Sequence, residues 1–184
     1  MDKNNKIKIA LIGDEKTGKT TFHKYLTDQF ENFNFDLYQE TAGACYRAKE
    51  LIYNNKKYFL DLWDTSGALK YRSLIKYFIK DADIIFIFYD YSNRQTYGTA
   101  KELLEFAKDI CEKIEITFIL IANKYHINKN TKDDDEIIPD EEALEFAQEN
   151  NMPFAHLSVS EKFSNGVNDI FRKVFKEYFK KKNV

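Results

Sequence analysis

The run Gly13-Asp14-Glu15-Lys16-Thr17-Gly18-Lys19-Thr20 stands directly behind the apolar segment Ile7-Lys8-Ile9-Ala10-Leu11-Ile12. It is a complete GxxxxGK[ST] pattern. Gly13 and Gly18 let the backbone bend tightly enough for successive N–H groups to surround phosphate oxygens, and a helix opening near Lys19 adds the positive end of its dipole. In such a loop Lys19 reaches the β- and γ-phosphates and the Thr20 hydroxyl sits on Mg²⁺, so a triphosphate is the implied ligand. Candidate contacts to it are Gly13, Glu15, Lys16, Thr17, Gly18, Lys19, Thr20 and Thr21. A coincidental loop is the competing explanation. It would not also bring a strand before and a helix after, the latter marked by Phe22, Tyr25, Leu26 and Phe30 at helical spacing.

Other polar groups have less chemistry in them. His23 and His156 have no Cys, His or carboxylate at metal-ligand spacing and read as ordinary surface or core histidines. Asp133-Asp134-Asp135-Glu136 lacks the spaced ligands and glycine of a calcium loop and reads as a solvated loop. Cys45 and Cys111 are too few and too far apart for a disulfide framework or a CxxC metal site. Twenty-eight basic and thirty acidic residues leave a net charge of −2, which points away from nucleic acid. The longest apolar run, Ile84–Tyr89, has the length of a buried strand and not of a membrane span, and no signal peptide is evident, so the expected compartment is cytoplasmic.

The elements that must position the loop follow from periodicity. Residues 6–12 read as a strand buried on both faces, and a first helix runs to about Phe30. After a polar connection from Glu31 to Gly43, strands Ala44–Tyr53 and Lys56–Trp63 form a hairpin across Asn54-Asn55. A short helix with Tyr71, Leu74, Ile75, Phe78 and Ile79 on one side follows. Then come the strand Asp83–Asp90, a helix through Tyr97, Ala100, Leu103, Leu104, Ala107 and Ile110, and the strand Ile116–Ala122. A long loop, Asn123 to Ile138, leads past Pro139 to a helix through Ala143–Glu149, the strand Phe154–Ser158 and a last helix. Val167, Ile170, Phe171, Val174, Phe175, Tyr178 and Phe179 form the core face of that last helix, with Ser164 or Asn165 as its cap. This order predicts an α/β chain of P-loop NTPase type, one domain over 1–184. A six-stranded, mostly parallel sheet with one antiparallel edge hairpin is flanked by about five helices, and ligands gather at the carboxyl ends of the strands.

Beyond the phosphate loop, Thr41-Ala42-Gly43, Trp63-Asp64-Thr65-Ser66-Gly67, Tyr71-Arg72-Ser73, Tyr89-Asp90 and Asn123-Lys124 fall in an order and spacing that resembles the Ras superfamily of small GTPases, closest to its Rab branch. The resemblance covers residues 6–180. It implies GTP/GDP and Mg²⁺ as ligands: Thr20 and Thr41 ligate the metal, Asp64 holds it through water, and the N–H groups of Thr41 and Gly67 bind the γ-phosphate beside Lys19. Loss of that phosphate releases both loops, which makes a switch. Asn123, Lys124, His126, Ser158, Val159 and Ser160 occupy the base-reading positions. Tyr46, Trp63 and Phe78 match the aromatic cluster that Rab proteins show to effectors, and an exchange factor and an activating protein are further expected partners. A monomer is expected, with no transmembrane segment. The prenylated cysteines of Rab tails are not among the last residues, Lys182-Asn183-Val184, so peripheral membrane association is expected only through a lipidated tail beyond this chain. The final lysines, Lys173, Lys176 and Lys180-Lys181-Lys182, read as a solvated helix face.

Three departures from the family fall on chemistry. Ala68 replaces the water-positioning Gln, and a methyl group can neither orient nor polarise water, so a slow GTPase is expected. Glu15 and Lys16 stand where small residues are usual; Glu15 either obstructs an incoming arginine or pairs with it, or both side chains point to solvent. His126 replaces the base-reading Asp, and Ser160 replaces a Lys. Losing one charge-assisted hydrogen bond at His126 lowers guanine preference by about ten- to a hundredfold. The aromatic that stacks on the base has no clear match, since Phe33 and Phe35 flank the aligned Asn34. Two readings follow: a Rab-like switch in vesicle trafficking with slow hydrolysis, or a pseudo-GTPase scaffold that binds nucleotide weakly or not at all. A P-loop kinase or ATPase is disfavoured by the absence of an acceptor domain or Arg-rich lid.

Overall fold

The computed structural model describes residues 5–27, 40–111, 115–124, 136–157 and 163–182, with the side chains of 163–166 left aside. Six strands form one sheet: β1 (Lys6–Gly13), β2 (Ala44–Tyr53), β3 (Lys56–Thr65), β4 (Ile84–Asp90), β5 (Thr117–Asn123) and β6 (Phe154–Leu157). Their order is β2-β3-β1-β4-β5-β6, and every neighbouring pair is parallel except β2 with β3. The helices are α1 (Lys19–Leu26), α2 (Ile75–Ile79), α3 (Arg94–Ile110), α4 (Asp140–Glu149) and α5 (Phe163–Lys181), with a 3₁₀ segment at Leu69–Leu74 before α2. The expected fold class is therefore the observed one.

Side chains alternate across the sheet and feed two cores. Ile7, Ile9, Leu11, Leu60, Leu62, Phe86, Phe88, Ile119 and Ile121 face a cluster completed by Phe22 of α1 and Val174, Phe175 and Phe179 of α5. Ala10, Ile12, Ile85, Ile87, Tyr89, Leu120 and Ala122 face the other, completed by Tyr97, Leu103 and Leu104 of α3 and Ala143 and Ala147 of α4. The β2–β3 hairpin is closed as expected at Asn54-Asn55, whose φ values of +48° and +59° are both left-handed. Asparagine tolerates that conformation, and the resulting turn matches the twist of the strands.

Several boundaries move. β3 continues through Asp64 and Thr65, and β5 includes Asn123, so these residues are the last rungs of strands instead of the loops after them. β4 starts one residue later than expected because the Asp83 carboxylate takes the Lys8 N–H at 2.8 Å; β5 likewise starts at Thr117 and not Ile116. α1 ends at Leu26, with Thr27 as its C-cap donating both its backbone N–H, at 3.0 Å, and its hydroxyl, at 2.9 Å, to the His23 carbonyl; Phe30 lies outside the described residues. α5 opens at Phe163, which puts Ser164 and Asn165 inside its first turn and not at its cap. The single amphipathic helix expected near residue 71 is split: 3₁₀ winding leaves Leu74 38% exposed, and only Ile75 and Ile79 are fully buried. Residues 31–39, 125–135 and 158 lie outside the described residues.

Two buried polar groups carry stability predictions. The Tyr89 hydroxyl is buried with no partner among the described residues, and its ring lies 5.0 Å from that of Tyr97. Tyr89→Phe removes only the unsatisfied oxygen, and urea denaturation should show a gain of about 1 kcal/mol. His23 is 2% exposed; the Leu62 carbonyl accepts from one ring nitrogen while Nε2 has no partner among the described residues. Burial, assisted by the positive charge of Arg47, pushes its pKa down to about 4. The unfolded chain therefore binds a proton below about pH 6.5 that the folded chain refuses until about pH 4. Acidification across that window should cost about 3 kcal/mol, a loss absent from the pH profile of His23→Leu.

Candidate functional site

The phosphate loop is built by close approaches. Gly13 closes β1 at φ +148°, and a Cβ there would fall 2.4 Å from the Phe88 carbonyl oxygen. Gly18 has φ +96°, and a Cβ would fall 2.5 Å from Asn123 Nδ2. Only glycine fits either place. Between them Lys16 adopts φ +61°, a left-handed conformation that costs a side-chain-bearing residue about 1 kcal/mol. The loop is cross-braced: Asp14 Oδ1 accepts the Glu15 N–H at 2.8 Å, its Oδ2 accepts the Thr99 hydroxyl at 3.2 Å, and Asn123 Nδ2 donates to the Thr17 carbonyl at 3.1 Å. At the start of α1 no side chain caps the helix and no acidic residue stands in the first turn, which leaves an electropositive helix end facing the loop.

Lys19 is 5% exposed, and its Nζ donates to the Asp14 carbonyl at 2.6 Å and lies 3.5 Å from Thr17 Oγ1. Burial lowers its pKa to about 8 against the pull of Asp64, Asp14 and Glu15, so the amine is still mostly protonated at pH 7. A dehydrated ammonium with two neutral oxygen neighbours is suited to pairing with an anion.

Three oxygens from three elements meet beside it. Thr20 Oγ1 donates to Asp64 Oδ2 at 2.8 Å, and Thr41 Oγ1 lies 3.2 Å from the same carboxylate oxygen and 3.1 Å from Thr20 Oγ1. Burial raises the Asp64 pKa against the opposing pull of Thr20, Lys19 and Thr41, and Asp64 Oδ1 is buried without a partner among the described residues. The two threonine hydroxyl oxygens stand 3.1 Å apart, close to the roughly 3 Å between neighbouring oxygens on an octahedral Mg²⁺. A hard divalent cation fits this oxygen-only set and would answer the orphaned carboxylate oxygen. No group of three His, Cys, Asp or Glu residues suited to a metal occurs among the described residues.

Gly67 is seated on the phosphate loop: a Cβ there would fall 2.4 Å from Asp14 C and from Glu15 N. Lys19, Thr20, Thr41 and Gly67 line one cavity with Glu15, Lys16, Glu40, Thr65 and Ser66. Its volume, about 20 Å³, has room for about one water molecule. The Gly67 segment thus packs directly against the phosphate loop at the edge of this cavity. That segment is coupled to residues 40–43, because Ser66 N–H donates to the Gly43 carbonyl at 2.8 Å. Ala68 caps the 3₁₀ segment and borders a wider groove of about 580 Å³ that Asp14, Glu15, Glu40, Arg72 and Thr99 also line. Glu15 and Lys16 are both exposed, and Glu15 stands at the mouth of each cavity. Thr21, two positions into α1, lines neither cavity.

On the base-reading side Asn123 is buried and turned to the phosphate loop. Lys124 is turned elsewhere: its Nζ lies 3.1 Å from Asp140 Oδ2 and 4.3 Å from the centre of the Tyr91 ring. His126, Ser158, Val159, Ser160, Phe33 and Phe35 lie outside the described residues. Asp140, Tyr91 and His156 were not singled out in the sequence for this place; none carries a local motif. The expected aromatic cluster is contiguous, with Tyr46 5.0 Å and Phe78 5.3 Å from Trp63, ring centre to ring centre. Leu69, 77% exposed, and Tyr77, 65% exposed, belong to the same stretch of chain as Phe78.

The model of the Ras family matches residues 8–180. The chain is 30% identical over 172 residues to the Ras-related protein RabZ of Dictyostelium discoideum, covering 92% of this chain and 69% of that one. It is 31% identical over 165 residues to the Ras-related protein RABA4d of Arabidopsis thaliana, covering 87% and 70%. To the Ras-related protein Rab5A of Oryza sativa subsp. japonica it is 28% identical over 170 residues, covering 92% and 78%. A sheet with a single antiparallel edge pair, a glycine-bent phosphate loop and these matches agree: the chain belongs to the Ras family of small GTPases, within its Rab branch.

Proposed function

We propose that this protein is a GTP-dependent binding switch with slow intrinsic hydrolysis, working in vesicle trafficking as a Rab-type protein. The observation that carries the reading is the meeting of Thr20, Thr41 and Asp64 beside the buried Lys19 ammonium. Thr41 comes from the segment at 40–43, and the adjacent Gly67 segment rests on the phosphate loop, so occupancy of one small cavity is linked to two movable stretches.

In this proposal Thr20, Thr41 and Asp64 would hold Mg²⁺, which would supply neutralisation of phosphate charge. Lys19 contributes a second positive charge, and the N–H groups of Thr41 and Gly67 bind the γ-phosphate. The Ala68 methyl leaves the attacking water without an orienting partner, which keeps the γ-phosphate-bound state long-lived. Exchange factors, activating proteins and effectors are the partner classes that go with a Rab-type switch, and effectors read Tyr46, Trp63 and Phe78.

The second reading is a pseudo-GTPase scaffold, favoured by Ala68 and by the engagement of Lys124 with Asp140. Denaturing the purified protein and identifying the released nucleotide by ion-exchange chromatography separates the two. The switch reading expects GTP or GDP. An empty protein that also fails to take up added GTP with Mg²⁺ supports the scaffold, and an adenine nucleotide overturns the base assignment.

A further inference from the structure

Asn123 and Lys124 are adjacent at the end of β5, yet their side chains go to different partners. The Asn123 amide braces the phosphate loop. The Lys124 ammonium meets both carboxylate oxygens of Asp140, at 3.2 and 3.1 Å, and sits over the Tyr91 ring. Four elements contribute: Lys124 follows β5, Asp140 opens α4, Tyr91 follows β4 and His156 lies in β6, with its Nε2 3.3 Å from Asp140 Oδ2. Burial and the Lys124 charge lower the His156 pKa, which disfavours a second cation beside the Asp140 carboxylate. The Lys124 side chain is 23% exposed and makes no hydrogen bond to the phosphate loop among the described residues. A carboxylate at the first turn of α4 also suits the positive end of the helix dipole.

We propose that Asp140 parks the Lys124 side chain away from the nucleotide base, so that an ion pair and a cation–π contact compete with base binding and shorten nucleotide residence. The inference rests on the reading of Lys124 as the residue that covers the base. Asp140 is on this view a positioning residue that acts through Lys124. No local motif marks it, since it stands sixteen residues further along the chain.

The test is dissociation of a fluorescent N-methylanthraniloyl GDP from the Mg²⁺-loaded protein, for wild type, Asp140→Asn, Lys124→Ala and the double variant, with thermal melts to confirm folding. Asp140→Asn should slow dissociation about two- to fivefold, the range open to a partly exposed ion pair. Asp140→Glu should restore the wild-type rate, and in the Lys124→Ala background the Asp140→Asn effect should vanish. Tyr91→Leu, which removes only the ring face, should act in the same direction with a smaller effect and serves if Asp140→Asn does not fold. Faster or unchanged dissociation in Asp140→Asn, alongside a clear effect of Lys124→Ala, overturns the parking role and leaves GTP binding intact. The same holds if slowing persists without Lys124. If none of the proteins holds the nucleotide, the GTP-binding reading fails and this inference fails with it.

Discussion

Lys19→Ala is expected to weaken GTP binding at least about a hundredfold while leaving the unliganded protein as stable as wild type or more so. The ammonium sits 5% exposed, hydrogen-bonded to the Asp14 carbonyl, and burial holds its pKa down to about 8. Without phosphate it is a cost to the fold. The unfolded chain keeps the proton up to about pH 10.5 and the folded chain only to about 8, so stability is lowest below pH 8 and rises across that interval. The difference amounts to about 3 kcal/mol, and the variant should lack it. With phosphate the balance reverses, because two charge-assisted hydrogen bonds at roughly 1.5–3 kcal/mol each correspond to a factor of about 10² to 10⁴ in affinity. Titration with a fluorescent GTP analogue and urea denaturation without ligand check the two halves separately. Binding as tight as wild type would place the phosphates elsewhere.

Ala68→Gln is expected to raise single-turnover GTP hydrolysis about a hundredfold, the bottom of the range that one positioned proton-handling group contributes. There is room for the longer side chain, since Ala68 borders a groove of about 580 Å³. Its backbone is already anchored, with the Ala68 N–H donating to Ser66 Oγ at 3.2 Å and its carbonyl accepting the Tyr71 N–H at 2.9 Å. A glutamine there starts from a fixed Cα beside the Gly67 N–H. Rapid-quench measurement of phosphate release with Mg²⁺ is the check. An unchanged rate would mean that the attacking water is held by some other group, and Glu15, which lines the same groove, would be the first to replace.

The parts of the molecule legible in the sequence are those set by neighbours in the chain. Apolar runs of strand length, amphipathic helices between them and the Asn54-Asn55 turn were enough for the six-strand order of elements. The phosphate loop was legible for the same reason: its glycines answer steric demands made by Phe88 and Asn123 at single positions. Boundaries were less so, because hydrogen bonds to distant residues decide them. Asp83, for one, stays out of β4 through its bond to Lys8. The parking of Lys124 was not legible at all. Its carboxylate partner, ring partner and histidine neighbour come from three other elements and become neighbours only when β4, β5 and β6 lie side by side.

The most direct test of the switch is the emission of Trp63, the single tryptophan in the chain. It precedes Asp64 in β3, lies 5.0 Å from the Tyr46 ring and 5.3 Å from the Phe78 ring, and has the Lys8 ammonium 5.7 Å from its centre. On the proposed switch, displacement of the Gly67 segment by a γ-phosphate is transmitted through Asp64 and Thr65 of β3 to those contacts. Loading the protein with Mg²⁺ and either GDP or a non-hydrolysable GTP analogue should give two distinct emission spectra. Saturation by both nucleotides with identical spectra would contradict the account, because the partners would then have one shape to read.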